Sequence, residues 1–202
     1  MVWLINCIEA ILNGLAQPAC SLSAQLGGRS VALVGMMGAG KSNVGRRLAT
    51  RLGLPFRDAD AEIEQDAGYS IAALFARDGE TGFRDRERRV IGRLLAGDPL
   101  VLATGGGAFM DTGTRRAMRA KAVSVWLRCD LLLLLLRLAA STDRPLLQEG
   151  DPAEILKRLM ALRHPVYAEA DLTFDSLDEN PDTTTARVHA ALCSLPQRLA
   201  AS

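Results

Sequence analysis

The amino-acid sequence predicts one α/β domain with a mainly parallel sheet that is covered by helices on both faces. Short apolar runs rich in β-branched residues alternate along the chain with longer segments of helical periodicity. Two of the apolar runs stop at glycine-rich segments, as buried parallel strands do before a ligand-binding loop. No internal repeat or low-complexity linker divides the 202 residues, so one core is the simplest organisation.

The predicted elements alternate between strand and helix for most of the chain. Residues 1–28 are interpreted as an N-terminal extension, helical or loose, and 197–202 as a tail, with the domain at 29–196. Strands are predicted at 30–35, 54–60, 99–107, 122–127 and 172–175. Helices are predicted at 44–53, 61–78 with a break near Gly68, 80–95, 131–138, 151–167 and 183–195. Ligands bind at the carboxyl ends of such strands, near which lie the sequences GMMGAGKS, DAD, TGGG and STDRPLL.

Composition and charge argue against several classes of protein. A formal net charge of +1 leaves no basic excess for nonspecific binding of nucleic acid. The leucine run at 131–136 is too short to span a bilayer, and the apolar start contains Glu9 with no preceding cation, unlike a secretory signal. The cysteines and histidines form no CxxC pair and no recognisable zinc-binding pattern. They are Cys7, Cys20, Cys129, Cys193, His164 and His189. We therefore expect a cytoplasmic protein with reduced thiols that binds neither nucleic acid nor membrane.

Residues 35–42 match the phosphate-binding pattern G-x-x-x-x-G-K-[ST] between a predicted strand and a predicted helix. Glycines in such a loop let backbone N–H groups turn toward phosphate oxygens, and the start of the helix adds further N–H groups. Lys41 is expected to reach the β- and γ-phosphates of ATP, and Ser42 to bind Mg²⁺ through its hydroxyl. The alternative is a glycine-rich turn with an incidental lysine. The residues predicted to bind the nucleotide phosphates are Gly38, Ala39, Gly40, Lys41, Ser42 and Asn43.

A carboxylate pair, Asp58 and Asp60, ends the second predicted strand. In extended backbone, residues two apart face the same way, so both carboxylates are expected to point into one cleft. One would lie near the metal ion, while the other would meet the hydroxyl of a phosphoryl acceptor and take its proton. The alternative is that one or both carboxylates only cap the helix predicted to start at Ala61.

Several longer stretches occur in a characteristic order and spacing. They are VGMMGAGKSNVGRRLA, DADAEIEQDAGYSIAALFARDGETGFRDRE, VLATGGGAF, DRPLL, RHPVYAEAD and ENP. In these stretches, from Ser30 to about Ala191, the chain resembles the shikimate kinase family. The resemblance implies a P-loop kinase of the nucleoside-monophosphate-kinase type, with a five-stranded parallel sheet and a mobile lid at about 140–151. It also implies a monomer that uses ATP and Mg²⁺ to phosphorylate the 3-hydroxyl of shikimate, a step toward chorismate and the aromatic amino acids.

The resemblance implies roles for residues on both sides of a two-substrate cleft. Asp60 resembles the base that binds the acceptor hydroxyl, and Asp58 resembles the carboxylate near Mg²⁺. Arg84 in GETGFR and Arg163 in RHPVY resemble the pair that binds the substrate carboxylate, because arginine offers a planar two-point contact. The resemblance also implies that Gly105, Gly106 and Gly107 contact the substrate and that the lid residue Arg144 contacts the phosphates of ATP. The other residues that it implies near the nucleotide are Arg137, Asn180 and Pro181.

Other interpretations of the same residues stay open. Arg84 stands among arginines on a charged helix, where solvated salt bridges are common, and Arg163 could be an ordinary cation at a helix end. Arg137 could simply be exposed after the leucine run, and Glu179 departs from the basic residue that often precedes Asn-Pro in the family. The alternative functions are another small-metabolite kinase, such as gluconate kinase, and a catalytically silent nucleotide-binding module.

Overall fold

The computed structural model describes residues 26–139 and 150–195, and within them five strands form one parallel sheet. In chain order the strands are β1 (Ser30–Val34), β2 (Phe56–Asp58), β3 (Val101–Ala103), β4 (Ala122–Arg128) and β5 (Leu172–Asp175). Their order across the sheet is β2-β3-β1-β4-β5. Because β1 lies between β3 and β4, the connections diverge on either side of it and leave a cleft at the carboxyl ends. A strand is present in each of the five predicted ranges, but β2 and β3 are shorter than the predicted 54–60 and 99–107.

Helices flank the sheet. They are α1 (Lys41–Leu52), α2 (Ala59–Ala67), α3 (Ile71–Ala96), α4 (Thr112–Lys121), α5 (Leu131–Ala139), α6 (Pro152–Tyr167) and α7 (Pro181–Cys193), with a 3-10 turn at Ala108–Met110. The sequence prediction did not include α4, a short helix that carries four cations and buries only Thr114 and Met118. Across the described residues, no helix has the length and apolar character needed to cross a membrane.

Two helix ends near the cleft depend on single residues. Helix α2 begins two residues before the predicted start at Ala61, because the Asp58 side chain caps it by accepting a hydrogen bond of 3.1 Å from the Asp60 N–H. The predicted break near Gly68 is confirmed, since this glycine ends α2 with a φ of 70°. Gly79, with φ 67° and ψ −179°, kinks α3 just before the residue at which the next helix was predicted to begin.

The main core lies between the sheet and its helices, and all residues of β1 and β3 are buried. Leu26, just before the predicted domain boundary, already belongs to this core and is 2% exposed. A second, smaller apolar cluster joins α2 to α3 and consists of Ile63, Leu74, Phe83 and Val90. The helices that carry Asp60 and Arg84 are therefore held together by packing of their own, beside the cleft.

Candidate active site

The loop between β1 and α1 has the conformation expected of a phosphate cradle. Gly38 and Gly40 have φ values of 80° and 88°, in the left-handed region that glycine adopts without strain. Gly40 precedes the first turn of α1, which has no side-chain cap and no acidic residue, so its N–H groups and its dipole favour an anion. The buried Lys41 ammonium donates hydrogen bonds of 2.8 Å to the carbonyl oxygens of Gly35 and Met36, within the same loop.

Ser42 and Asp58 meet directly at the start of α1. The Ser42 hydroxyl donates to Oδ2 of Asp58 at 2.6 Å, while Oδ1 of Asp58 caps α2. Asp58 therefore has both the capping role and the position beside the phosphate loop that the sequence left open. The expectation that one extended segment carries both Asp58 and Asp60 is wrong, because Asp58 ends β2 and Asp60 lies in the first turn of α2. That both carboxylates point into one cleft stays a prediction.

A hydroxyl and a carboxylate are the oxygen ligands that Mg²⁺ prefers, together with water and phosphate oxygens. Ser42 and Asp58 fit that ion, since their oxygens already lie within one hydrogen bond of each other. Within residues 26–139 and 150–195, no group of three or more His, Cys, Asp or Glu side chains could hold a metal.

The glycine triplet that follows β3 is packed closely by charged side chains. A Cβ on Gly105 would lie 2.9 Å from Oδ1 of Asp60, and a Cβ on Gly106 would lie 3.3 Å from Nη1 of Arg163. A Cβ on Gly107 would lie 2.6 Å from Cζ of Arg84. These glycines have no left-handed φ, so the close approach of the charged groups is what requires them. The structure thus brings Asp60, both arginines and the triplet together, as predicted.

The two arginines reach the triplet from different helices. Arg84 on α3 donates to Oε2 of Glu87 at 2.7 Å and to Oε1 of Glu80 at 3.4 Å. Arg163 on α6 is 8% exposed and donates to the carbonyl oxygen of Gly106 at 3.2 Å. Two guanidinium groups that converge on one backbone loop can bind a small carboxylate from two sides.

The predicted nucleotide-side residues have structural contacts of their own. Nη1 of Arg137 donates to the carbonyl oxygen of Gly38 at 3.3 Å, so this side chain does contact the phosphate loop. Asn180 caps α7 by accepting from the Asp182 N–H at 2.9 Å, and Pro181 is the first residue of that helix. Their contact with adenine stays a prediction. The predicted lid at about 140–151, including Arg144, lies outside the described residues except for 150–151.

Comparisons with known proteins identify the family of the chain. The family model for shikimate kinase matches residues 37–193 of the chain. A shikimate kinase of Paramagnetospirillum magneticum is 55% identical over 184 residues, which cover 91% of this chain and 94% of that protein. The chain belongs to the shikimate kinase family. The sequence motifs predicted this family and a phosphotransferase, and both predictions are confirmed.

Solved structures of the shikimate kinase family share the fold. The shikimate kinase from Acinetobacter baumannii, solved in complex with shikimate, has a TM-score of 0.81 and 37% identity, covering 86% of this chain and 97% of that one. A gluconokinase from Sinorhizobium meliloti has a TM-score of 0.59 at 18% identity, covering 85% of this chain and 95% of that one. At that identity the gluconokinase shows only that the fold is shared.

Sequence reasoning missed Glu87, which the structure of this shikimate kinase family member buries to 2% exposure. Its Oε2 accepts from Arg84, and its Oε1, which has no hydrogen-bond partner among the described residues, would be 2.8 Å from a Cβ on Gly105. Burial raises the pKa of the Glu87 carboxyl, and the guanidinium of Arg84 opposes that shift. The sequence feature that could have identified Glu87 is its spacing of three residues from Arg84, which places both side chains on one face of a helix.

Tyr167 was also missed as a site residue, although it belongs to the RHPVY motif of the family. Its hydroxyl donates to the carbonyl oxygen of Gly106, the same oxygen that accepts from Arg163. The side chain is 1% exposed, and burial raises its pKa to about 12, so the phenol stays a neutral donor. Gly106 is thus fixed by two side chains of α6, which orients the triplet in the cleft.

Proposed function

We propose that this chain transfers the γ-phosphoryl group of ATP to the 3-hydroxyl of shikimate, giving shikimate 3-phosphate and ADP. The observation that carries the proposal is the convergence of Asp60, Arg84 and Arg163 on the glycine triplet, at the same end of the sheet as the phosphate loop. The names of the relatives, and the shikimate in the A. baumannii complex, support the same acceptor. The product would serve the biosynthesis of chorismate and aromatic amino acids.

In this proposal, the acceptor is held by charge and by backbone contacts. Arg84 and Arg163 bind the carboxylate of shikimate, and the glycine triplet lets the main chain approach the ring and its hydroxyls. Asp60 accepts the proton of the 3-hydroxyl as the oxygen bonds to the γ-phosphorus, while the bond from that phosphorus to the bridging oxygen of ADP breaks. Glu87 holds Arg84 in place by the 2.7 Å ion pair.

The nucleotide is held on the other wall. Backbone N–H groups of residues 38–43 and the Lys41 ammonium bind the phosphates, which requires Lys41 to turn from loop carbonyls to phosphate oxygens. Ser42 and Asp58 would hold Mg²⁺, which neutralises phosphate charge when bound. Arg144 closes over the phosphates with the lid at about 140–151 and excludes water. Arg137 contacts the nucleotide beside the phosphate loop, and Asn180 and Pro181 contact the adenine side.

We propose a cytoplasmic monomer whose cysteines take no part in the reaction. Burial raises the pKa of the Cys129 thiol to about 11, so this group stays protonated and is a poor nucleophile near neutral pH. The absence of a basic excess supports small-molecule substrates over nucleic acid.

The test is ADP release by the purified chain with shikimate or gluconate as the acceptor. We expect release that depends on shikimate and saturates with it. Release with gluconate alone would assign the chain to a different acceptor, and ATP binding without release for either acceptor would make it a silent nucleotide-binding protein.

A further inference from the structure

Two side chains, Ser176 and Arg137, donate hydrogen bonds to backbone carbonyl groups of the phosphate loop. Ser176, immediately after β5, donates from its hydroxyl to the carbonyl oxygen of Ala39 at 3.0 Å. Arg137 donates from Nη1 to the carbonyl oxygen of Gly38 and to Oγ of Ser176 at 3.0 Å. Two consecutive carbonyl groups of the loop are thus turned toward the hydrogen-bonded pair of Arg137 and Ser176.

The direction of these carbonyls decides where the next N–H group points. The described peptide bonds are all trans, and across a trans peptide the N–H points opposite to the carbonyl. Since the carbonyl of Ala39 points at Ser176, the N–H of Gly40 points away from Ser176. Gly40 lies directly before α1, where backbone N–H groups bind phosphate.

The surroundings of Ser176 fix the direction of its hydroxyl. The Ser176 N–H donates to the carbonyl oxygen of Arg128 at 2.7 Å, which ties its backbone to the sheet. The side chain is 5% exposed, so water does not compete for its hydrogen bonds. Because Oγ accepts from Arg137, the single hydroxyl proton is directed to Ala39.

We propose that Ser176 is a positioning residue for nucleotide binding, which holds the Ala39–Gly40 peptide in the orientation that presents the Gly40 N–H to phosphate. The inference rests on the proposed function only in that ATP uses this loop, and it is independent of the acceptor. Without the hydroxyl, the Ala39 carbonyl loses its buried partner and the peptide is free to rotate, which lowers the affinity for phosphates before any chemistry occurs.

Ser176→Ala tests the proposal by calorimetric titration with Mg²⁺–ADP and, separately, with inorganic tripolyphosphate. We expect both to bind about 3- to 30-fold more weakly, the usual consequence of one lost buried hydrogen bond. Shikimate affinity measured without nucleotide stays unchanged, and Ser176→Thr, which keeps the hydroxyl, retains most of the ADP affinity. Ser124→Ala is the matched control, since Ser124 is equally buried on β4 but donates to Asp171 at 2.6 Å, away from the loop.

Each outcome has one meaning. ADP affinity within twofold of the wild type in a folded Ser176→Ala protein overturns the proposal. A loss with ADP but not with tripolyphosphate also overturns it, because the effect then acts on the nucleoside part of ADP and not on its phosphates. If Ser176→Ala does not fold, hydrogen exchange of the Gly40 amide is measured instead, in the wild type and in Ser176→Thr, each with and without ADP. The proposal is overturned if ADP does not slow the exchange of this amide in the wild type. A failure of the proposed function appears instead as normal ADP binding by the wild type without shikimate-dependent turnover.

Discussion

Replacing Gly107 with alanine is expected to raise the KM for shikimate by about 10- to 100-fold, the equivalent of one lost charge-assisted contact. The new Cβ would lie 2.6 Å from Cζ of Arg84, so the guanidinium must retreat by about 0.8 Å to reach ordinary contact at 3.4 Å. A displacement of this size is enough to misalign a two-point contact with a carboxylate. The clash is with the far end of a flexible side chain, so the change acts on the site more than on the fold.

The stability of the Gly107→Ala protein is expected to stay within about 1 kcal/mol of the wild type, because a residue with φ −99° and ψ −14° accepts alanine without strain. The assay is steady-state ADP release over a range of shikimate concentrations, combined with urea unfolding. Gly113→Ala is the control, since its Cβ would meet Cδ of Arg88 at 2.9 Å, an arginine without a predicted role in binding. An unchanged KM in Gly107→Ala, or an equal rise in Gly113→Ala, would refute the reasoning.

Three further predictions address the other groups of the cleft. Asp60→Asn should lower kcat by about 100- to 10,000-fold while calorimetric ADP affinity is retained, and full turnover would remove Asp60 as the base. Tyr167→Phe, which removes one hydroxyl from a buried ring, should raise the KM for shikimate about 3- to 10-fold with unchanged ADP affinity, and equal effects on both substrates would contradict its role at Gly106. Glu87→Gln tests the raised pKa of Glu87. Because the folded protein binds the Glu87 proton more tightly than the unfolded chain does, the wild type should lose stability relative to the variant as the pH rises from about 4.5 through the raised pKa. Urea titrations over that range check it, and a pH-independent difference would contradict it.

Much of the fold was predictable because its signals are local. The runs that became β1, β3 and β4 are apolar and bounded by loops, and the pattern at 35–42 requires a strand before it and a helix after it. The conformation of Asp58 and Asp60 was less predictable. Both an extended and a helical path suit DAD, and the choice depends on the Asp58 cap, which satisfies an N–H at the start of α2.

The site residues that were missed are those whose role depends on tertiary contacts. Glu87 lies in a run of charged residues, which sequence patterns assign to solvent, and only the packing of α3 against Gly105 and Asp60 buries it. Ser176 is a small polar residue after a strand and belongs to no motif. Its importance appears only when β5 is found beside the phosphate loop, with Ala39 within reach of its hydroxyl.

The position of the transferred phosphate tests the central claim most directly. The purified chain is incubated with ATP, Mg²⁺ and shikimate, and the product is isolated and examined by ³¹P–¹H correlation NMR. The convergence of Asp60, Arg84 and Arg163 on the glycine triplet predicts one product, with phosphorus coupled to the proton on C3 of shikimate. Phosphorylation at another hydroxyl, or no phosphorylated shikimate despite ADP binding, would contradict the account.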